Sequence, residues 1–309
     1  MQITNTILMV RPVNFRMNEQ TAVNNYFQED LDLRNSVINQ RAQEEFDAFV
    51  GKLREAGVEV IVVDDRVETD TPDSIFPNNW VSFHENGTVV IYPMYAENRR
   101  KERRMDIFDL LEEKGFVIEQ IIDYTSAEKE GIFLEATGSI LMDRTHQKAY
   151  CALSDRADEG LFIEFCEDFN VAPVIFTAYQ SVDGKRLPIY HTNVMMCLAE
   201  DLAVICLDSI DNKKERQSVV SHLKKDGFDI VEISEAQMHS FAGNMLQVLG
   251  RDGERLMVMS ASARKSLNPE QIACIERTSR IISSPIDTIE ACGGGSARCM
   301  MAEVFLPRK

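Results

Sequence analysis

The sequence predicts an α/β fold of five similar strand–helix–strand–strand units around a pseudo-axis, a five-bladed α/β propeller. Three observations carry this prediction. Apolar strand-like runs alternate with amphipathic helical stretches along the whole chain. Each unit closes with a strand preceded by a short polar turn: PNN, ATG, HTN, AGN and GGGSA. The closing strands are expected to start near Asn79, Ser139, Asn193, Asn244 and Arg298. That is a period of roughly fifty to sixty residues, the mark of an array. An open doubly wound sheet explains the alternation but not the recurring turns.

Taken in order, TILMVRP leads to a helix around Asn39–Ala56, then VEVIVVDD and the closing strand NWVSFHE. TVVIYPM leads to a helix around Asn98–Lys114, then FVIEQII and SILMDR. KAYCALS leads to a helix around Asp155–Phe169, then VAPVIFTAY and NVMMCLAE. LAVICLD leads to a helix around Lys213–Asp226, then FDIVEIS and NMLQVLG. RLMVMS leads to a helix around Pro269–Ile281, then IDTIEA and RCMMAEVFL. In a closed array the five polar turns would gather at one end and converge on a central site.

No linker or composition shift divides the 309 residues, so one domain spanning residues 1–309 is expected. An apolar content of 44% supports a sizeable core. No stretch reaches the roughly 18 apolar residues of a membrane span, and MQITNTILMVRPVNF reads as a first strand, not a signal peptide. The seven cysteines are odd in number and scattered, without paired C-x-x-C spacing, which argues against structural zinc and for a reduced, cytoplasmic setting. A formal charge of −17 disfavours nucleic-acid partners. Self-association is left open.

The chemistry-bearing residues sit in the polar turns. In CGGGSARCMM, Gly293–Gly295 let backbone approach a ligand, and Cys299 follows beside Arg298, a cation able to favour the thiolate. The loop lacks the G-x-x-x-x-G-K-[ST] pattern of a phosphate loop. His191, in YHTN, occupies the equivalent turn of the third unit, so the repeat should bring it toward Cys299. Glu135, in FLEATGS, is a carboxylate flanked by apolar residues and able to orient an imidazole. The loop DSIFPNNW combines Asp73, Phe76 and the amides of Asn78 and Asn79, which suit a planar nitrogen-rich group. Each motif alone also fits a structural turn or a buried polar residue.

Together, and in this order, the motifs resemble the guanidine-modifying pentein superfamily: arginine deiminase, dimethylarginine dimethylaminohydrolase, succinylarginine dihydrolase and the amidinotransferases. The chain is most similar to the arginine-deiminase-related group described as citrulline-utilisation hydrolases. The resemblance runs from the first strand past Cys299. It implies a five-bladed propeller, with Cys299 as nucleophile, His191 as general acid/base and Glu135 as its orienting partner. It further places Asp73 and Phe76 in the substrate loop, and implies that Arg156 of Leu153-Ser154-Asp155-Arg156 grips the substrate carboxylate. Arg99-Arg100-Lys101-Glu102 resembles the R-x-x-E that supplies a second arginine, either Arg99 or Arg100.

Three departures bear on the substrate. Asn78 or Asn79 stands where relatives carry carboxylates, Asn193 stands where arginine deiminase has an acid two residues after the histidine, and E-G-G-D becomes Glu135-Ala136-Thr137-Gly138-Ser139. Amides accept from and donate to a neutral ureido group, whereas carboxylates match a cation. The expected activity is therefore hydrolysis of a C–N bond in a guanidino or ureido amino acid through a covalent Cys299 intermediate, with the ureido substrate favoured. No metal or organic cofactor is expected. An amidinotransferase and a catalytically inactive binding protein are the alternatives.

Overall fold

A computed structural model describes residues 1–309. Strand β1 (Thr6–Arg11) runs into a helix (Asn35–Glu55) and returns parallel as β2 (Glu59–Asp64). β3 (Val81–Phe83) pairs antiparallel with β4 (Thr88–Ile91), which pairs parallel with β5 (Gln120–Asp123) across the helix Asp106–Glu113. The same order recurs in β6 (Ile140–Asp143), β7 (Lys148–Leu153) and β8 (Ala172–Thr177). A hairpin, β9 (Tyr179–Val182) with β10 (Lys185–Pro188), intervenes. The order recurs in β11 (Met196–Leu198), β12 (Leu202–Ile205) and β13 (Asp229–Glu232), and in β14 (Leu246–Leu249), β15 (Arg255–Ser260) and β16 (Arg280–Ser284). Finally β17 (Ala302–Glu303) pairs antiparallel with β1, Ile7 opposite Glu303.

The chain thus forms five three-stranded sheets of one pattern, with the middle strand parallel to one neighbour and antiparallel to the other. The middle strands read as continuous apolar runs because both their faces are covered; β4 and β12 are buried throughout. The outer strands β5 and β13 are largely exposed. Local chemistry starts several helices: Asp158 caps Glu159–Asp168, Asn212 caps Lys213–Lys225, and Asn268 with Gln271 forms a capping box before Pro269.

Each closing strand pairs with the first strand of the next unit, as β3 with β4, β6 with β7 and β17 with β1, a partnership the repeat left open. Several expectations need correction. The polar turns are themselves short helical segments, such as Pro77–Asn79, Ala136–Ser139, Thr192–Met195 and Ala297–Met300, so the closing strands start later than expected. Cys299 therefore sits in a 3-10 turn, not in a strand. The helix expected over Asn98–Lys114 splits into a 3-10 segment, Glu97–Glu102, and Asp106–Glu113. Arg103 is extended between them, and Arg99 and Glu102 turn into the interior. The helix Pro269–Glu276 is shorter than expected, and IDTIEA is not a strand. The strand is RIISS, ended by Pro285, and Asp287 opens a helix to Gly293 with acids in its first turn. No helix is long and apolar enough to cross a membrane.

Candidate active site

The polar turns of the first, third and fifth units line one small cavity, and the turns of the second and fourth pack behind it, Gly138 against His191 and Asn244 against the Cys299 sulfur. Asp73, Phe76, Asn79, Arg99, Arg156, Tyr190, His191 and Cys299 are among the residues that line it, with Gly293 and Gly295. The glycines are a steric requirement here. A Cβ on Gly293 would stand 2.7 Å from the Phe76 ring, so only glycine lets the Cys299 loop pack on that aromatic. A Cβ on Gly138 would stand 2.4 Å from Asn79 Nδ2 and 2.9 Å from the His191 ring. The ATG turn is thus what allows His191 and Asn79 to approach each other.

His191 is buried, and its Nε2 lies 2.7 Å from Glu135 Oε2. Burial pushes the Glu135 carboxyl up, but Arg156 first, then His191 and Arg99, hold it down at about 2. Burial lowers His191 to about 4, with Arg156 and Arg99 adding to the effect and Glu135 opposing it. At neutral pH the pair is then carboxylate and neutral imidazole. An ionised Glu135 can only accept, so Nε2 carries the proton and Nδ1 keeps a lone pair. Glu135 is fixed in turn by the Tyr95 backbone N–H, which donates to Oε1 at 3.0 Å. Ala136, directly after it, adopts φ 37°, a left-handed conformation that alanine disfavours by about 1–2 kcal/mol.

The Cys299 sulfur is buried and meets amides, not the expected cation. Asn244 Nδ2 donates to it at 3.2 Å and Asn193 Nδ2 at 3.5 Å. Arg298 turns its guanidinium away, to the Met301 carbonyl at 2.8 Å and Glu303 at 2.7 Å. Its backbone N–H donates to Asn244 Oδ1 at 3.0 Å, which fixes the orientation of that amide. Asn244 was missed as a site residue although the AGN turn of the fourth unit holds it at the position equivalent to Asn193.

Of the two candidate arginines, Arg99 faces the site. Arg100 bonds the Met94 and Tyr95 carbonyls instead. Arg99 is already committed: Nε and Nη2 bind both Glu102 oxygens at 2.9 Å, and Nη1 binds Asn79 Oδ1 at 2.9 Å. Arg156 is held by Asn24 and by the Thr21 carbonyl through Nε and Nη2, and its guanidinium lies 4.9 Å over the Tyr190 ring. Its Nη1 stands 3.6 Å from Glu135 and makes no hydrogen bond of its own, so it is the better-placed donor for a carboxylate.

Asp73 Oδ2 accepts from Asn18 at 2.7 Å and from Thr21 at 3.2 Å, while its Oδ1 is buried without a partner. Burial raises this carboxyl, against the pull of Arg99. Asn79 lines the cavity; Asn78 does not, its amide facing Thr137 at 3.4 Å. The segment Asn18–Asn25 was also missed. Its polar residues carry no motif, yet Asn18, Thr21, Asn24 and Asn25 reach Asp73, Arg156 and the glycine loop. The buried charges here are two arginines, Arg99 and Arg156, against three carboxylates, Asp73, Glu102 and Glu135. Burial pushes the Glu102 carboxyl up to about 8 against the pull of Arg99, so at neutral pH the two arginines face Asp73 and Glu135 with no surplus negative charge.

The family model for N,N dimethylarginine dimethylhydrolase, eukaryotic, matches residues 11–306. Among solved structures, ArgZ, an arginine dihydrolase from the ornithine-ammonia cycle in cyanobacteria, superposes with TM-score 0.74 at 18% identity, over 98% of this chain and 41% of its own. AgrE in binary complex with L-arginine gives 0.75 at 15% identity, over 98% and 40%. A dimethylarginine dimethylaminohydrolase adduct with 4-chloro-2-hydroxymethylpyridine gives 0.64 at 18%, over 97% and 99%. This chain therefore spans about two fifths of the full ArgZ and AgrE chains and nearly all of the dimethylaminohydrolase. A search of curated protein sequences finds no significant match. The fold is thus a mixed α/β fold shared with these structures, and the family match extends over almost the whole chain. The chain belongs to the N,N dimethylarginine dimethylhydrolase family of C–N hydrolases, within the guanidine-modifying pentein superfamily.

Proposed function

We propose that this chain is a cysteine-dependent hydrolase that breaks a C–N bond at the guanidino carbon of an arginine-like amino acid. One observation carries the reading: Cys299, a neutral His191 oriented by Glu135, and the unpartnered Asp73 oxygen all line one small cavity. As the Cys299 sulfur attacks the planar carbon, its proton passes to His191 Nδ1. His191 then gives that proton to the departing nitrogen, which leaves as ammonia or an amine. Water enters, loses a proton to His191 and attacks the S-bound carbon. The C–S bond breaks, the thiol regains its proton, and a ureido product departs. Asp73 accepts from the substrate N–H groups, and Arg156 Nη1 meets the α-carboxylate.

The buried Asp73 oxygen without a partner favours a cationic guanidino group, which offers it N–H donors, over the neutral ureido group that the asparagines suggested. A ureido substrate such as citrulline is the second reading. It is favoured by one atom, Asn79 Nδ2, a buried donor without an acceptor that a ureido oxygen would fill. The accompanying proposals are a single domain over residues 1–309, a five-bladed propeller supported by the handing of each closing strand to the next sheet, and a cytoplasmic enzyme.

Incubation with arginine, mono- and dimethylarginine, citrulline and agmatine, with ammonia and methylamines assayed, tests the reading. Release from a guanidino amino acid, lost in Cys299→Ser with the fold retained, is expected. Turnover persisting in that variant discards the nucleophile, and citrulline outpacing every guanidino compound selects the second reading.

A further inference from the structure

A second pocket, partly open to solvent, lies along the closing strands, beyond the turns that carry Glu135, His191 and Cys299. It is bounded by residues of β6, β11, β14 and β17, with Gln2, Arg144, Gln247, Arg298 and Glu303 as its polar wall. The two glutamines are satisfied. Gln2 accepts from the Arg144 backbone N–H and donates to the Met142 carbonyl, and Gln247 accepts from the Glu200 N–H and donates to Ser279. The arginines differ. Arg298 spends Nη1 and Nη2 on Met301 and Glu303. Arg144 lies 4.0 Å over the Phe305 ring and reaches only His84 Nδ1, at 3.4 Å. Most of its N–H donors have no protein acceptor, and no carboxylate stands within ion-pair distance. Two arginines against one glutamate leave this pocket positive in a chain of net charge −17.

We propose that this pocket binds a small oxyanion, a carboxylate or inorganic phosphate, against Arg144 with Arg298 beside it. A half-buried planar guanidinium whose donors are mostly without protein acceptors, backed by an aromatic ring, suits a two-oxygen acceptor. The pocket is also coupled to the proposed thiol by covalent neighbours. Arg298 precedes Cys299, and its N–H holds the Asn244 amide that donates to the sulfur. An anion that draws on Arg298 therefore acts on the same turn that presents the nucleophile.

The test is thermal unfolding of the full chain with about 10 mM phosphate or acetate, at ionic strength held constant with chloride. At least one of the two oxyanions raises Tm by about 2–3 °C, and comparing them identifies the preferred class. Arg144→Gln abolishes the rise, Arg144→Lys weakens the apparent affinity about tenfold, and Arg156→Gln, which alters only the first cavity, keeps it. No rise with either anion, a rise that survives in Arg144→Gln, or a rise that vanishes in Arg156→Gln overturns the proposal. If Arg144→Gln does not fold, unchanged affinity in Arg144→Lys overturns it equally.

Discussion

Replacing Glu135 by glutamine tests the proposed proton path most directly. The carboxylate accepts from His191 Nε2 at 2.7 Å and stands 3.6 Å from Arg156 and 3.9 Å from Arg99. Glutamine keeps the volume but removes the charge. A charge-assisted hydrogen bond is worth about 1.5–3 kcal/mol, so its loss alone costs about 10- to 150-fold. The amide adds a second effect. It can donate to Nε2, which moves the imidazole proton to Nδ1 and turns the lone pair away from the thiol. A wrong tautomer in a comparable triad costs up to about 10⁴ in kcat. Glu135→Gln should therefore lower kcat by about 10²–10⁴, with a much smaller change in KM. Steady-state amine release from the best guanidino substrate measures this. Because Glu135 raises the His191 value against burial, the acid limb of kcat/KM should move down or vanish. A loss below about tenfold, or an acid limb that moves upward, refutes the tautomer argument.

Gly138→Ala should fold with a loss of about 1–3 kcal/mol and lose most of its turnover. The new methyl would press on Asn79 and on the His191 ring; unchanged kcat removes the steric account. Agmatine should be a far poorer substrate than arginine, and Arg156→Lys should narrow the difference by raising KM for arginine only; equal rates for both compounds discard the carboxylate contact. Stability should fall with pH in a defined window. The folded His191 value, about 4, lies below its ordinary 6.5, so the unfolded chain binds more protons and stability drains away from about pH 6.5 downward. Glu135, at about 2 against 4.5, continues the loss below that. Tm measured from pH 8 to 4 should show this fall, flatter in His191→Asn, and an equally steep fall in that variant assigns the transition elsewhere.

Much of the site was legible because the repeat supplies position. His191, Glu135 and Cys299 lie at or beside equivalent turns, so periodicity drew them together before any coordinates did, while Asp73 and Arg156 were reached through the family resemblance. The same logic reached Asn244 as a repeat landmark, but an amide beside an alanine and a glycine carries no chemical signature. What the sequence withheld was direction. Asn78 and Asn79, or Arg99 and Arg100, are neighbours whose side chains diverge because a 3-10 turn rotates successive residues by about 120°. The segment Asn18–Asn25 has no periodicity and folds only against the site it covers. Strand pairing stayed out of reach for a related reason. A period fixes which segments are equivalent, and leaves open whether a strand pairs within its unit or with the next.

The pairing of β17 with β1 fastens together residues as far apart as Ile7 and Glu303. Closing so long a loop adds little to the entropic cost, since that cost grows only logarithmically with length, but it is slow to find. Cys299 lies just ahead of this clasp, and its amide neighbours come from two other units. In a half-assembled molecule the proposed nucleophile therefore lacks its amide neighbours, however much of the secondary structure is in place. In refolding, recovered turnover should lag the fluorescence of Trp80, making catalysis a clock for the last stitch of the chain.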